Sequence, residues 1–281
     1  MTGLACRGLT KRFPGVVAVD GVDLDVEPGR VTVLLGENGA GKSTLGRILA
    51  GVYRPDAGEM TLLGRAYDPA SPAEAMAAGI GLIHQETSLL PGLSVAENVF
   101  LGRQPIRRGL VAYGAMRAAA RQHLEAVGLR VDPAAPVSRL SVAARQQVEI
   151  AKALSLEARI LLLDEPTAAL GPDEAERLFA TVEDLRGQGV GFVYITHRLA
   201  EVSRVGDRVV VLRDGRRVAS WDRADVHAEE LIEAMVGRRV DQVFPKPPEP
   251  REQEVLRVED LAVAGAYSGV SFSLRRGEVL G

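Results

Sequence analysis

Residues 36–44, GENGAGKST, set glycines around a Lys-Ser pair in the spacing G-x-x-x-x-G-K-[ST]. The chemistry this suits is the holding of phosphate. Glycines let the backbone curl so that several N–H groups converge on one point. A helix that starts directly afterwards adds its positive N-terminal end. Lys42 would reach the β- and γ-phosphates of a nucleotide, and Ser43 would offer its hydroxyl to Mg²⁺. Gly36, Glu37, Asn38, Gly39, Ala40, Gly41, Lys42, Ser43 and Thr44 are therefore the candidate nucleotide-binding residues. A glycine-rich turn with no ligand would not need the Lys-Ser pair.

A second run, ILLLDEP, ends in two carboxylates, Asp164 and Glu165. Ligands of open α/β sheets bind beyond the carboxyl ends of the strands. Asp164 would enter the Mg²⁺ shell directly or through water. Glu165 would polarise the attacking water as general base. Either acid alone reads more plainly as a solvated loop residue; an apolar strand before them and a phosphate loop upstream favour chemistry. His197 ends the next apolar run, in YITHRLAEV. Alone it would be structural, but one strand on from Glu165 it would sense the γ-phosphate and orient water. Gln85 follows GIGLIH, where a polar side chain could meet Mg²⁺ or water, and an ordinary loop glutamine fits that spacing equally well.

The elements that must carry these residues are legible around them. VTVLL (31–35), RILLLD (159–164) and GFVYIT (191–196) are continuous apolar runs, as strands of a buried parallel sheet require. Residues 4–9 and 22–26 alternate apolar with polar, as half-buried strands do, and 80–83 read as another short strand. STLGRILAGV is helix-like. From about 87 to 157 the texture is Ala-rich helix, with Met116, Ala120, Leu124 and Val127 on one face. A helix is expected over 172–187, with Pro172 in its first turn and Gly187 and Gly189 just past its end. DRVVVLRDGRRVAS reads as a hairpin turning at Asp-Gly, and a helix over about 228–236 closes this unit.

The composition is that of an ordinary globular chain of one or two domains: 281 residues, 46% hydrophobic and 25% charged. A net charge of −3 gives no reason to expect a nucleic-acid partner. The single cysteine, Cys6, excludes a disulfide within the chain and fits a reducing compartment. LACRG (4–8) lacks the apolar segment that a lipoprotein leader needs, so Cys6 is read as a strand residue. No run approaches the ~18 apolar residues of a membrane span.

FPKPPEPREQE (244–254) is rich in proline and charge and reads as a linker. Beyond it the sequence begins again. GVDLDVEPGRVTV (21–33) lies over GVSFSLRRGEVLG (269–281) at an offset of 248, so that Gly21, Val22, Gly29 and Val31 recur as Gly269, Val270, Gly277 and Val279. Leu4, Cys6 and Leu9 answer to Leu256, Val258 and Leu261. An internal repeat is expected, with residues 255–281 opening a second copy of the first domain.

The phosphate loop, HQE (84–86), LS (140–141), LLLDEPT and ITH occur together in one order and spacing, and over residues 4–240 the chain resembles an ABC-type ATPase. IHQETSLLPGLSVAENVFLGR, VEIAKALS, LLLDEPTAAL and EAMVGR before a Pro-rich linker are similar to the carbohydrate-import branch. The resemblance implies an α/β P-loop ATPase domain, a mixed sheet with a helical subdomain at about 87–157, then a linker at 241–254. It implies a chain cut early in its second ATPase domain. It also implies ATP and Mg²⁺, with Phe13 stacked on adenine, Gln85 reporting to a membrane partner, and Ser141 in the signature that faces the opposite domain's nucleotide. The implied partners are permease subunits, a second ATPase domain and, indirectly, an extracytoplasmic solute-binding protein. The implied place is the cytoplasmic face of the membrane.

Three departures qualify the match. The signature's two glycines are Val142 and Ala143, its glutamine is Ala144, and an expected aspartate after PTAAL is Gly171. A side chain at 143 would hinder close approach of ATP and could slow hydrolysis or make two composite sites unequal. The expectation is ATP hydrolysis that drives import of a sugar or related solute. The alternatives are a permease-free ABC protein of translation or repair, a regulatory domain that binds without hydrolysis, and a metabolic kinase, which fails to explain LS, LLLDEPT and ITH.

Overall fold

The computed structural model describes residues 3–84, 88–222, 226–237, 253–263, 265–278 and 280. They divide into two units, Met1–Val236 and Gly237–Gly281.

In the first unit, β1 (Leu4–Phe13) and β2 (Val16–Val26) form an antiparallel hairpin. β3 (Val31–Leu35) leads through the phosphate loop into α1 (Lys42–Leu49). β4 (Ala57–Leu62), β5 (Arg65–Ala66), α2 (Pro72–Ala77) and β6 (Ile80–Ile83) follow. Next come α3 (Val95–Val99), a small hairpin of β7 (Ile106–Arg107) and β8 (Leu110–Val111), α4 (Tyr113–Ala126) and α5 (Val142–Leu154). The unit ends with β9 (Ile160–Asp164), α6 (Pro172–Gly187), β10 (Gly191–Thr196), α7 (Leu199–Val205), the hairpin β11 (Arg208–Arg213) and β12 (Arg216–Asp222), and α8 (Ala228–Val236).

The central sheet has the order β12-β11-β3-β10-β9-β6, with β12 antiparallel at one edge and the other five strands parallel. A separate antiparallel sheet runs β2-β1-β4-β5. The continuous apolar runs are buried on both faces, and their period of two divides them between two cores. Val33, Leu163 and Tyr194 pack with α5, α6 and α7 on one face. Leu34, Leu162 and Val193 pack on the other with α1 and the apolar face of the β1–β2 hairpin.

The register places the chemistry. Leu35 lies beside Thr196, Ile195 beside Asp164, and Leu163 beside Ile83. Four parallel strands thus end at one level, and the residues that follow each emerge along the same edge.

The expected strands and hairpin form, and Asp214 and Gly215 both take positive φ at the hairpin turn, 50° and 78°. Two details differ. Gly187 is the last residue of α6 rather than the first beyond it, and only Gly189 takes the left-handed conformation, at φ 93°. The β7–β8 hairpin interrupts the Ala-rich segment. The apolar face of α4 is buried but shared: Met116 and Ala120 pack with Ala96, while Leu124 and Val127 join the main core.

The second unit is a single described hairpin, β13 (Glu254–Val263) and β14 (Tyr267–Arg275). Its pairing reproduces that of β1–β2. Leu4, Cys6 and Leu9 face Val26, Leu24 and Val22; Leu256, Val258 and Leu261 face Leu274, Phe272 and Val270. The irregularity falls at the same place, between Cys6 and Leu9 and between Val258 and Leu261. There Gly8 (φ 59°) donates its N–H to Asp23 Oδ1 at 2.7 Å, and Asp260 (φ 49°) donates its N–H to Ser271 Oγ at 2.9 Å. The two hairpins therefore share their pairing register and the position of the bulge. Most of the expected linker, and Val279 of the repeat, lie outside the described residues.

Candidate functional site

The phosphate loop needs glycine where backbone approaches backbone. A Cβ on Gly41, at φ 97°, would stand 2.2 Å from the Ala18 carbonyl oxygen, and one on Gly36 2.3 Å from that of Leu212. Gly41 N-caps α1, so the open N–H groups of the helix's first turn join those of the loop. Lys42, 4% exposed, donates from Nζ to the carbonyls of Gly36 and Glu37, 2.9 Å each, which holds the ammonium over the loop. Burial lowers its pKa, against the pull of the Glu165 and Asp164 carboxylates. Ala40 is buried and its carbonyl accepts the Gly215 N–H; Glu37 and Asn38 are exposed.

Asp164 closes β9 and is buried, and its Oδ1 accepts from Ser43 Oγ at 3.0 Å. Burial raises its pKa, the Ser43 hydrogen bond opposes this, and Glu165 adds to the rise. Glu165 turns the chain with φ 47°, an uncommon conformation for a non-glycine residue. Its N–H bonds the Ile195 carbonyl at 3.0 Å, fixing the turn to the end of β10. From there Glu165 Oε1 lies 3.1 Å from His197 Nδ1, with the imidazole more open to solvent than the carboxylate. The structure thus brings Lys42, Ser43, Asp164, Glu165 and His197 to one edge.

A cavity of about 710 Å³ opens there, lined by Asn38, Gly39, Gly41, Lys42, Ser43, Thr44 and Glu165. It is also lined by residues that sequence reasoning missed: Val16, Val17 and Ala18 from the start of β2, and the Asp214–Gly215 turn. Val16 and Val17 are 56% and 42% exposed there, an exposure that the sequence does not signal. Gly215 is tied on both sides, its N–H to Ala40 and its carbonyl to the N–H of Asp20.

Other expected site residues stand elsewhere. Phe13 packs edge-on against Tyr53, ring centroids 5.4 Å apart, and does not line the cavity; its hairpin partner Val16 does. Ser141 accepts the Ala144 N–H and caps α5, and is not among the residues lining the cavity. Gln85 lies outside the described residues. Cys6 is buried in β1 and burial pushes its thiol up to about 12, which makes it unreactive.

Ser43 and Asp164 form an oxygen pair of the hard-donor kind that Mg²⁺ takes beside phosphate. Burial disfavours both the Asp164 carboxylate and the Lys42 ammonium, so a cation at the first and phosphate at the second would relieve both. The residues present therefore fit Mg²⁺ with a nucleotide.

A phosphate loop between β3 and α1, with an acidic strand end beside it in a mixed sheet, defines a P-loop nucleotide-binding domain. Residues 19–168 match the ABC transporter family, more than half of the chain, and the protein belongs to that family. It is 54% identical to ribose import ATP-binding protein RbsA 1 of Rubrobacter xylanophilus over 278 residues, 99% of this chain and 56% of that protein. It is 49% identical to a putative ribose/galactose/methyl galactoside import ATP-binding protein of Burkholderia ambifaria, over 100% of this chain and 54% of that one. The chain thus spans little more than half the length of these relatives. The ADP conformation of MJ1267, an ATP-binding cassette of an ABC transporter, superposes with a TM-score of 0.72 at 27% identity, over 85% of this chain and 100% of that one. A nucleotide-free ATP-binding cassette gives 0.71 at 28% identity, over 85% of this chain and 96% of that one.

Proposed function

We propose that the chain binds and hydrolyses ATP to drive import of a sugar or related small polar solute through a membrane permease. The convergence of Lys42, Ser43–Asp164 and Glu165–His197 at one sheet edge carries this reading. Similarity to ribose and galactose import ATP-binding proteins supports the choice of solute. Among the described residues no helix is long and apolar enough to cross a membrane, in keeping with a subunit that docks on permease subunits at the cytoplasmic face. An extracytoplasmic solute-binding protein would act through the permease, and nucleic acid has no part.

Lys42 and the N–H groups of the loop hold the β- and γ-phosphates. Ser43 and Asp164 would hold Mg²⁺, which supplies neutralising charge to the phosphate oxygens. Glu165 takes the proton of a water as its oxygen attacks the γ-phosphorus and the bond to the ADP oxygen breaks. His197, 3.1 Å from Glu165, keeps that carboxylate aimed and contacts the γ-phosphate. Phe13, packed against Tyr53 and outside the cavity lining, would have to turn toward the nucleotide to stack on adenine, and Gln85 keeps its proposed place at the Mg²⁺ and permease side. Ser141 would complete the nucleotide site of a facing ATPase domain, supplied by a second copy or by a longer chain that continues from residues 255–281.

Steady-state turnover measured across chain concentration tests this. A rate per chain that rises with concentration, and co-purification with permease subunits in membranes, are expected. ATP bound without turnover at any concentration favours a binding-only domain, to which Ala143 and Gly171 would contribute. Co-purification with ribosomes in place of a permease would overturn the transport reading.

A further inference from the structure

Glu201 is a buried acid that the mechanism above does not use. It lies on α7, one turn after His197, and is 5% exposed. Its Oε2 accepts from Thr196 Oγ1 at 2.7 Å and from Tyr194 OH at 3.2 Å. Its Oε1 accepts a short hydrogen bond from Thr167 Oγ1. Thr167 belongs to the turn that carries Glu165, and the carbonyl of Glu165 accepts the Ala168 N–H at 3.1 Å. Thr196 directly precedes His197, and its hydroxyl oxygen also accepts the Arg198 N–H at 3.0 Å. One carboxylate therefore holds the two turns that present Glu165 and His197. Arg198 Nη1 lies 3.6 Å from Oε1.

We infer that Glu201 is a positioning residue: by bonding Thr167 on the turn after β9 and Thr196 at the end of β10, it sets the spacing between the Glu165 carboxylate and the His197 imidazole. Glu165 sits at φ 47°, a conformation that persists only where the surroundings fix it. Its N–H bond to Ile195 anchors the start of the turn, while Thr167 anchors the far side. All three partners are hydroxyls, each able to donate to a carboxylate oxygen. Glu201 is not among the residues lining the cavity; it acts through Glu165 and His197. The inference rests on the hydrolytic reading of the site.

The test uses the whole chain with Glu201→Ala, Glu201→Gln and Thr167→Val, and with Glu165→Gln as control. ATP affinity, kcat, KM and hydrogen exchange over residues 163–170 and 195–201 are measured. Glu201→Ala is expected to lower kcat by about 10²-fold, the scale of a small misplacement of reacting groups. KM and ATP affinity should change less than about twofold. Glu201→Gln, which keeps an acceptor oxygen and the shape, should recover most of the rate, and Thr167→Val should fall between. Exchange should rise in the two turns and not in β3 or α1.

Glu201→Ala at the unchanged rate while Glu165→Gln is impaired would overturn the inference. So would exchange that rises throughout the core with KM rising in step, the mark of a merely structural acid. If Glu165→Gln turned over normally, the hydrolytic reading would have failed instead. Were the unchanged chain to bind ATP without turnover, exchange decides: a rise confined to the two turns supports the tie, and no rise removes it.

Discussion

The β1–β2 and β13–β14 hairpins share a register, a bulge and a bulge hydrogen bond, yet their apolar faces meet opposite surroundings. Leu4, Cys6, Leu9, Val22, Leu24 and Val26 are all at most 1% exposed. Their counterparts Leu256, Leu261, Val270 and Phe272 are 36–46% exposed. The pairing is thus written locally, in the alternation and in the positive-φ residue at the bulge. The burial is not. It comes to the first hairpin from β4, α1 and the parallel sheet, which are remote in sequence. The first hairpin, held in place by that packing, also lines the cavity through Val16, Val17 and Ala18, and Ala18 approaches Gly41 closely.

The largest expected contrast is in reactivity. Cys6 should resist a thiol reagent at neutral pH, since its thiol is buried and pushed up to about 12. A cysteine placed by Leu256→Cys, on the matching face of β13, should react on the order of 10³-fold faster, because Cys6 reacts only through opening of the core. Comparable labelling rates by mass spectrometry would break the comparison. Packing comes next. Leu24→Ala should cost about 2–5 kcal/mol in urea unfolding, whereas Phe272→Ala should stay within about 0.5 kcal/mol. Equal losses would mean that the second hairpin's face is covered in solution.

The smallest effect concerns the bulge. Nothing stands within 4 Å of a Cβ on Gly8, and Asp260 already occupies the matching left-handed position. Gly8→Asn, which adds no charge beside the Asp23 carboxylate, should therefore cost only the backbone preference, about 1 kcal/mol, seen as a small shift of the urea midpoint. A cost near that of Leu24→Ala would show that the two bulges are not equivalent.

This contrast also explains what the sequence could reveal. Strands that are apolar throughout, the Asp-Gly turn and the phosphate loop are legible because their signals are local. So is the sheet edge that gathers Asp164, Glu165 and His197, because parallel strands end together. The lining by Val16–Ala18 and by the Asp214–Gly215 turn is not legible, since it depends on which loops pack against the phosphate loop. Glu201 reads as one more charge on a helix until its three hydroxyl partners, from two strand ends, are brought around it. The β7–β8 hairpin escapes notice because two-residue strands carry no periodicity.

Turnover by Glu165→Gln at matched ATP occupancy tests the central claim most directly. Measured at the chain concentration of maximal rate, ATP affinity should be kept and kcat should fall by at least about 10²-fold, the contribution of a positioned general base. Equal rates for the two chains at equal occupancy would contradict the assignment of Glu165, and with it the account of how this site works.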